Sequence, residues 1–222
     1  MQSVHFGPVS FDYRQPRLLY RCFKEEAHAE ALTQGKVWIS TLDACRQYEN
    51  AMQGDPLEAT NLYFSGPAIS IDEPNGHEIA RRSGIHLENA TGGIIAHNFC
   101  TTTLENAFIL CSTMASDTED LTDDFGHFVV EIRKPRFFRH RVADALKRSI
   151  AIPRYGLGPI EYTKPLAVGI DEIHPLGFVK RPEYAEQREF RFIWFTTSNN
   201  ASAIKPFSVD VPAIVSLCRR IR

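Results

Sequence analysis

The chain has 222 residues, 43% of them hydrophobic and 23% charged, with a formal net charge of −2. That is enough apolar side chain for a packed core, which excludes a disordered or low-complexity protein. The near-neutral balance excludes a generally cationic nucleic-acid or membrane binder but leaves room for a local basic groove.

In chain order, residues 17–23 (RLLYRCF) read as a strand and 25–34 as a helix with acids in its first turn and Gly35 as its stop. Residues 36–40 (KVWIS) form a second strand, and Asp43 is placed to cap a helix over 44–52 that ends at Gly54, Asp55 and Pro56. Residues 66–93, rich in Gly, Pro and Asn, read as a long loop or small insertion. Strands return over 94–102, 107–112 and 125–133, with the acidic stretch MASDTEDLTDD as a solvated loop between the last two. A helix over 139–150, strands over 151–163, 165–170, 188–196 and 203–209, and a short helix from Pro212 complete the pattern. Strands following strands through short turns favour a single α+β domain, largely antiparallel, with flanking helices.

The five cysteines are scattered, with no CxxC and no paired Cys/His box, so no metal site and no disulfide framework are expected. The opening MQSVHFGPVSFDY lacks a basic segment followed by an apolar one, and no stretch approaches a membrane span. These features lead us to expect a cytoplasmic protein that meets no membrane.

Chemistry is sought first in YAEQREFRFIWF, residues 184–195. Side chains alternate along a strand, so Gln187, Glu189 and Arg191 would share one face while Phe190, Phe192 and Trp194 turn to the core. An amide and a carboxylate roughly 7 Å apart along the strand can act on one ligand; the plain alternative is a strand end whose charges pair with a neighbour. Arg21 sits inside the apolar run LLYRCF, where an arginine seldom lies without a partner. Its planar fork fits a phosphate, a carboxylate, or a structural acid such as Glu189 itself. In NFCTTTLEN, Thr101 and Thr103 would share a face, although threonine is also simply a good strand former. FILCSTMAS adds Ser112 and Thr113. A Cys–His hydrolase built from Cys100 or Cys111 with His97, His127 or His174 has no supporting spacing. The run IRKPRFFRHR interleaves basic and aromatic residues, compatible with a nucleic-acid contact or with a solvated connection.

The boxes LLYRCF, GKVWIS, QGDPLEA, NFCTTTLENAFIL and YAEQREFRFIW resemble, in order, those of a large family of uncharacterised bacterial and phage domains. Gly54 stands where that family usually has Asn, and Gln187 where it commonly has an acid. The set of a strand-borne arginine, a hydroxyl triplet and Gln-x-Glu also resembles the Arg–Ser–Glu class of ADP-ribosyltransferases, with threonine in place of each serine. The resemblance implies an ADP-ribosyltransferase-like fold with NAD as substrate. It makes Glu189, Gln187 and Thr101 catalytic, and puts Arg21, Tyr20, Thr103 and Ser112 on the NAD. Tyr20, Tyr184 and Phe99 are the aromatics available to stack on nicotinamide. The acceptor implied is a protein side chain other than arginine, or a nucleic acid, in a toxin or phage-defence setting that includes an antitoxin partner. A silent nucleotide- or nucleic-acid-binding module and an NAD glycohydrolase stand beside it.

Overall fold

The computed structural model describes residues 16–48, 54–172, 174–197, 201 and 203–222. In chain order its first elements are β1 (Leu18–Phe23), α1 (Glu26–Thr33), β2 (Lys36–Thr41), α2 (Leu42–Gln47), β3 (Thr60–Phe64), β4 (Ile69–Ser70), α3 (Gly76–Arg82), β5 (Ile94–Ile95) and β6 (Phe99–Thr103). Then come β7 (Phe108–Thr113), α4 (Thr122–Phe125), β8 (Phe128–Arg133), α5 (Pro135–Leu146), β9 (Arg154–Pro159), β10 (Glu161–Tyr162) and β11 (Leu166–Val168). The chain closes with β12 (Val179–Lys180), β13 (Glu189–Phe195), β14 (Phe207–Asp210) and β15 (Cys218–Arg220). This is a mixed α+β structure. Antiparallel pairing dominates, with parallel pairs only between β3 and β11 and between β10 and β12 among the described residues.

The main sheet has eight strands, running β14–β2–β7–β1–β8–β15, with β13 against β7 and β9 against β13. β13 is buried along almost its whole length and paired on both edges, which explains why EFRFIWF is nearly continuous apolar sequence. On one face Phe190, Phe192 and Trp194 pack with Leu110, with Leu19 of β1, and with Phe138 and Val142 of α5. On the other, Ile193 meets Ile109, Leu42 and Cys45.

β7 sits at a fork. Along one edge it pairs with β13 from Phe108 to Thr113. Along the other, β2 reaches only Phe108 and Ile109, and β1 reaches only Thr113. The two strands then diverge, β2 towards β14 and β1 towards β8. Residues 110–112 therefore carry no strand partner on that edge among the described residues, and a gap opens in the sheet.

Several boundaries differ from the expected ones. Thr41, not Asp43, caps α2, its hydroxyl accepting from the Ala44 N–H; Asp43 lies inside the helix and pairs with Arg46. Residues 49–52 of the expected helix lie outside the described residues. The 66–93 segment carries β4 and α3 and closes its own small cluster of Ile71, Ile79, Ala80 and Ile95. The expected strand over 94–102 is two strands, and α5 begins at Pro135, where a ring-fixed φ suits a first helical turn. The short helix expected from Pro212 forms as a 3-10 helix, Pro212–Leu217, and is followed by β15. Among the described residues no helix is long and apolar enough to cross a membrane.

Candidate functional site

A cavity of about 490 Å³ occupies the fork. β7 supplies its floor through residues 110–113, β1 one wall through Tyr20 and Arg21, and Ser40, Cys45 and Tyr48 the opposite wall. Lys180, Gln187 and Glu189 close one end.

Behind that end lies a buried cluster of four charges. Arg191 donates from Nε to Glu189 Oε1 at 2.8 Å, and from Nη1 to Glu58 Oε1 at 2.7 Å and the Gly177 carbonyl at 3.0 Å. Lys180 Nζ lies 2.6 Å from Glu189 Oε2 and 3.8 Å from Glu58 Oε2, and donates to Gln187 Oε1 at 3.0 Å. Glu189 is 3% exposed and Lys180 6%, so two carboxylates and two cations share one buried volume and cancel. Burial would raise the Glu189 carboxyl, but Arg191 and then Lys180 bring it down to about 2. Burial works against the Lys180 ammonium too, and Glu189 and Glu58 more than reverse this, holding it above its ordinary value. The Glu189 N–H donates to the Tyr162 hydroxyl at 2.7 Å, which pins the start of β13.

The turn at residues 54–58, just ahead of β3, is tied to the chain around β13. Gly54 O accepts from the Tyr184 hydroxyl at 3.1 Å, Asp55 lies 3.2 Å from Arg181 Nε, and Glu58 holds Arg191. The boxes QGDPLEA and YAEQREFRFIW are thus in direct contact through Gly54 with Tyr184 and Glu58 with Arg191, while Asp55 pairs with Arg181 just ahead of the second box.

Arg21 differs from these cations. Burial lowers its pKa, and the titratable groups nearest it are Cys111, Tyr48 and Cys45 rather than a carboxylate. Its guanidinium stands 5.3 Å over the Phe23 ring, and among the described residues it forms no ion pair. The expected alternative, Arg21 paired with Glu189, is not what forms; Arg191 and Lys180 take that carboxylate.

The fork brings together five of the expected site residues: Tyr20, Arg21, Ser112, Gln187 and Glu189. Gln187 arrives by another route than expected. β13 starts at Glu189; Gln187 ends a 3-10 turn and Arg188 adopts a left-handed conformation (φ 41°), so the amide reaches the cavity from a turn rather than one pleat along the strand. Thr101 and Thr103 are not in the cavity. They lie on β6, the edge of a separate three-stranded sheet β11–β3–β6, opposite Leu62 and Thr60 and exposed to solvent. Thr103 Oγ1 is 3.2 Å from Thr60 Oγ1. The hydroxyls that do line the cavity belong to β7: Ser112, whose Oγ donates to the Phe190 carbonyl at 2.9 Å, and Thr113. Of the three aromatics, only Tyr20 lines it; Phe99 is exposed on β6 and Tyr184 is buried against Lys180 and Arg181. Tyr48 and Phe125 line it as well.

Sequence reasoning missed Glu58 and Lys180. A signal existed for the first: Arg191 within an apolar run needs an acid beyond its own strand, and Glu58 is an acid set between Leu57 and Ala59. No such signal marks Lys180. Among the described residues no histidine bonds Cys100 or Cys111, and no group of His, Cys, Asp or Glu could hold a metal ion. No family model, no curated protein and no solved structure matches the chain.

Proposed function

We propose that the chain is a mono-ADP-ribosyltransferase of ADP-ribosyltransferase-like fold. It takes NAD into the fork and passes ADP-ribose to a non-arginine protein side chain or a nucleic acid, as a toxin or phage-defence factor does. The observation that carries this reading is the pairing, in one cavity, of a guanidinium lacking a carboxylate partner with a carboxylate held ionised. A volume of about 490 Å³ suits a nucleotide-sized ligand. Arg21 then takes the diphosphate through its fork of donors, and Tyr20 offers a ring beside it.

NAD supplies the nicotinamide–ribose bond, whose breaking builds positive charge on the sugar. Glu189 meets that charge as a carboxylate and hydrogen-bonds a ribose hydroxyl. A carboxylate has about four lone-pair sites; Arg191 faces Oε1 with both Nε and Nη2 at 2.8 Å and Lys180 Nζ holds Oε2 at 2.6 Å, so the ribose hydroxyl takes the place of the weak contact from the Cys111 thiol. Lys180 holds both Glu189 and Gln187, fixing their geometry before substrate arrives. Ser112 rather than Thr101 is the hydroxyl in the cavity, and it ties β7 to β13 beside Glu189.

The test is isothermal titration with NAD together with an assay for released nicotinamide. Because Glu189→Gln alone unbalances the buried cluster, it is made together with Lys180→Met, which removes one charge of each sign. Arg21→Ala should weaken NAD binding roughly tenfold or more, the cost of a charge-assisted bidentate contact. The Glu189→Gln/Lys180→Met protein should bind NAD within about threefold yet release no nicotinamide. Absence of both binding and release in the wild type, with cell lysate supplied as acceptor, overturns the reading. Release with no label transferred to lysate replaces it with a glycohydrolase.

A further inference from the structure

The proposed site leaves unused the strongest concentration of positive charge in the chain. Residues 133–154 hold eight arginines and lysines against one acid, Asp144, although the whole chain carries −2. α5 explains how they are displayed. Phe138, Val142, Ala145 and Leu146 bury one stripe of the helix against the core. The opposite stripe, with Phe137, Arg141 and Asp144, faces solvent, and Arg148 in the turn just past the helix is exposed as well. Phe137 is 62% exposed, at the head of that row.

The flanking cations are organised on rings. Arg139 stands 4.9 Å and Lys147 5.1 Å from the centre of the Tyr155 ring, and the Tyr155 hydroxyl is 3.2 Å from His140 Nδ1. Arg139 Nε is buried with no hydrogen-bond partner. Among the described residues Arg141, Lys147, Arg148 and Arg154 make no ion pair, and Asp144 pairs with none of them. Arg133 pairs with Glu131, and the surface that Arg141, Lys147, Arg148 and Arg154 make is complementary to a polyanion. An exposed flat ring among such cations suits a strand whose bases are splayed rather than paired.

We propose that the outer face of α5 docks single-stranded nucleic acid, with phosphates along Arg141 and Arg148 and a base stacked on Phe137. Phe137 and Arg141 are one turn apart, a rise of about 6 Å, so ring and guanidinium meet neighbouring groups of one strand. The surface is separate from the fork: α5 packs on the sheet face that carries Phe190, Phe192 and Trp194, whereas Glu189 and Arg191 lie on the other. The proposal is therefore independent of the transferase reading.

Fluorescence anisotropy with a labelled oligothymidylate, in the absence of NAD, tests it. Wild-type protein should bind with an affinity that falls as salt rises. Arg141→Glu/Arg148→Glu should lower affinity at least tenfold and reduce the log–log salt slope by about 1.4, two phosphate contacts on a single strand. Phe137→Ala should lower affinity about fivefold or more with the slope unchanged, the signature of a lost stack. All three side chains are exposed, and thermal melts should match the wild type. No binding at low salt, or an Arg141→Glu/Arg148→Glu protein indistinguishable from wild type, overturns the proposal. So does polyglutamate competing as well as the oligonucleotide, or duplex bound equally with Phe137→Ala silent.

Discussion

Glu58 and Arg191 lie 133 residues apart in the chain, and their side chains meet at 2.7 Å with neither exposed beyond 1%. The contact bolts the 54–58 turn to the centre of β13, and it is one side of a neutral square whose other corners are Lys180 and Glu189. Removing one corner leaves a buried charge without its counter-ion, which costs about 3–5 kcal/mol. Glu58→Gln should destabilise by that amount in chemical denaturation. Adding Lys180→Met to it should recover part of the loss, because the square becomes neutral again. A double variant whose losses simply add would show that the four groups do not act as a unit.

The same square sets a pH dependence. The Glu189 carboxyl drops from 4.5 to about 2 on folding, so the folded state binds its proton less readily than the unfolded chain. Stability from this group is complete above about 4.5 and is lost as pH falls towards 2. Lys180 moves the opposite way, with its pKa raised, so its contribution is intact throughout the acid range and leaves the sign unchanged. Denaturation midpoints measured from pH 6 down to pH 2 (roughly the window that linkage defines) should fall more steeply for wild type than for Glu189→Gln/Lys180→Met. Parallel curves would contradict the assignment.

Much of this site was legible because its two central strands have one sequence texture. FILCST and EFRFIWF are both apolar runs with polar residues at one end, and the register of Glu189 opposite Thr113 puts those ends together. Arg21 stood out as a charge inside an apolar strand, and it does reach the cavity. The triplet Thr101–Thr103 misled because threonine favours any pleated surface. Side-chain type did not distinguish a central strand from the solvent-facing edge that β6 forms. The apolar run that precedes Ser112 and Thr113 in FILCST was the better guide. Glu58 and Lys180 were hidden for another reason: which acid meets Arg191 is settled by chain topology across 133 residues, and no local pattern encodes it.

Thiol chemistry gives a third prediction. Burial first, and the Glu58 charge second, push the Cys45 thiol up to about 11; burial raises Cys218 to about 12 and Cys111 well above its ordinary range. Cys45 and Cys111 line the fork, yet both remain protonated at neutral pH and neither offers a nucleophile. Iodoacetamide at neutral pH should leave these three unmodified in the native protein, and peptide mass spectrometry should find all five cysteines alkylated after denaturation in urea. Native labelling of Cys45 or Cys111 at the rate of free cysteine would mean that a thiolate is present in the cavity.

Gly126 provides a test of how β1 is held beside the fork. It follows α4 with φ 101° and ψ 166°, a conformation essentially reserved for glycine, and an added Cβ would stand 2.1 Å from the Phe23 carbonyl oxygen. Backbone cannot swing aside as a side chain tip can, so Gly126→Ala meets conformational strain and an unrelieved clash together. Gly66 has nearly the same φ, 99°, with nothing within 4 Å of where its Cβ would lie. Gly66→Ala should therefore cost only the strain, about 1–3 kcal/mol, and Gly126→Ala should cost that plus about 1–3 kcal/mol for forced displacement of β1. Thermal and denaturant melts of the two variants separate the terms. Because Phe23 and Lys24 wall the cavity, the displaced strand in Gly126→Ala should also disturb the fork, whereas Gly66→Ala should leave it intact. Equal losses for the two variants would mean that β1 does not press on Gly126 and that the wall of the fork is anchored elsewhere.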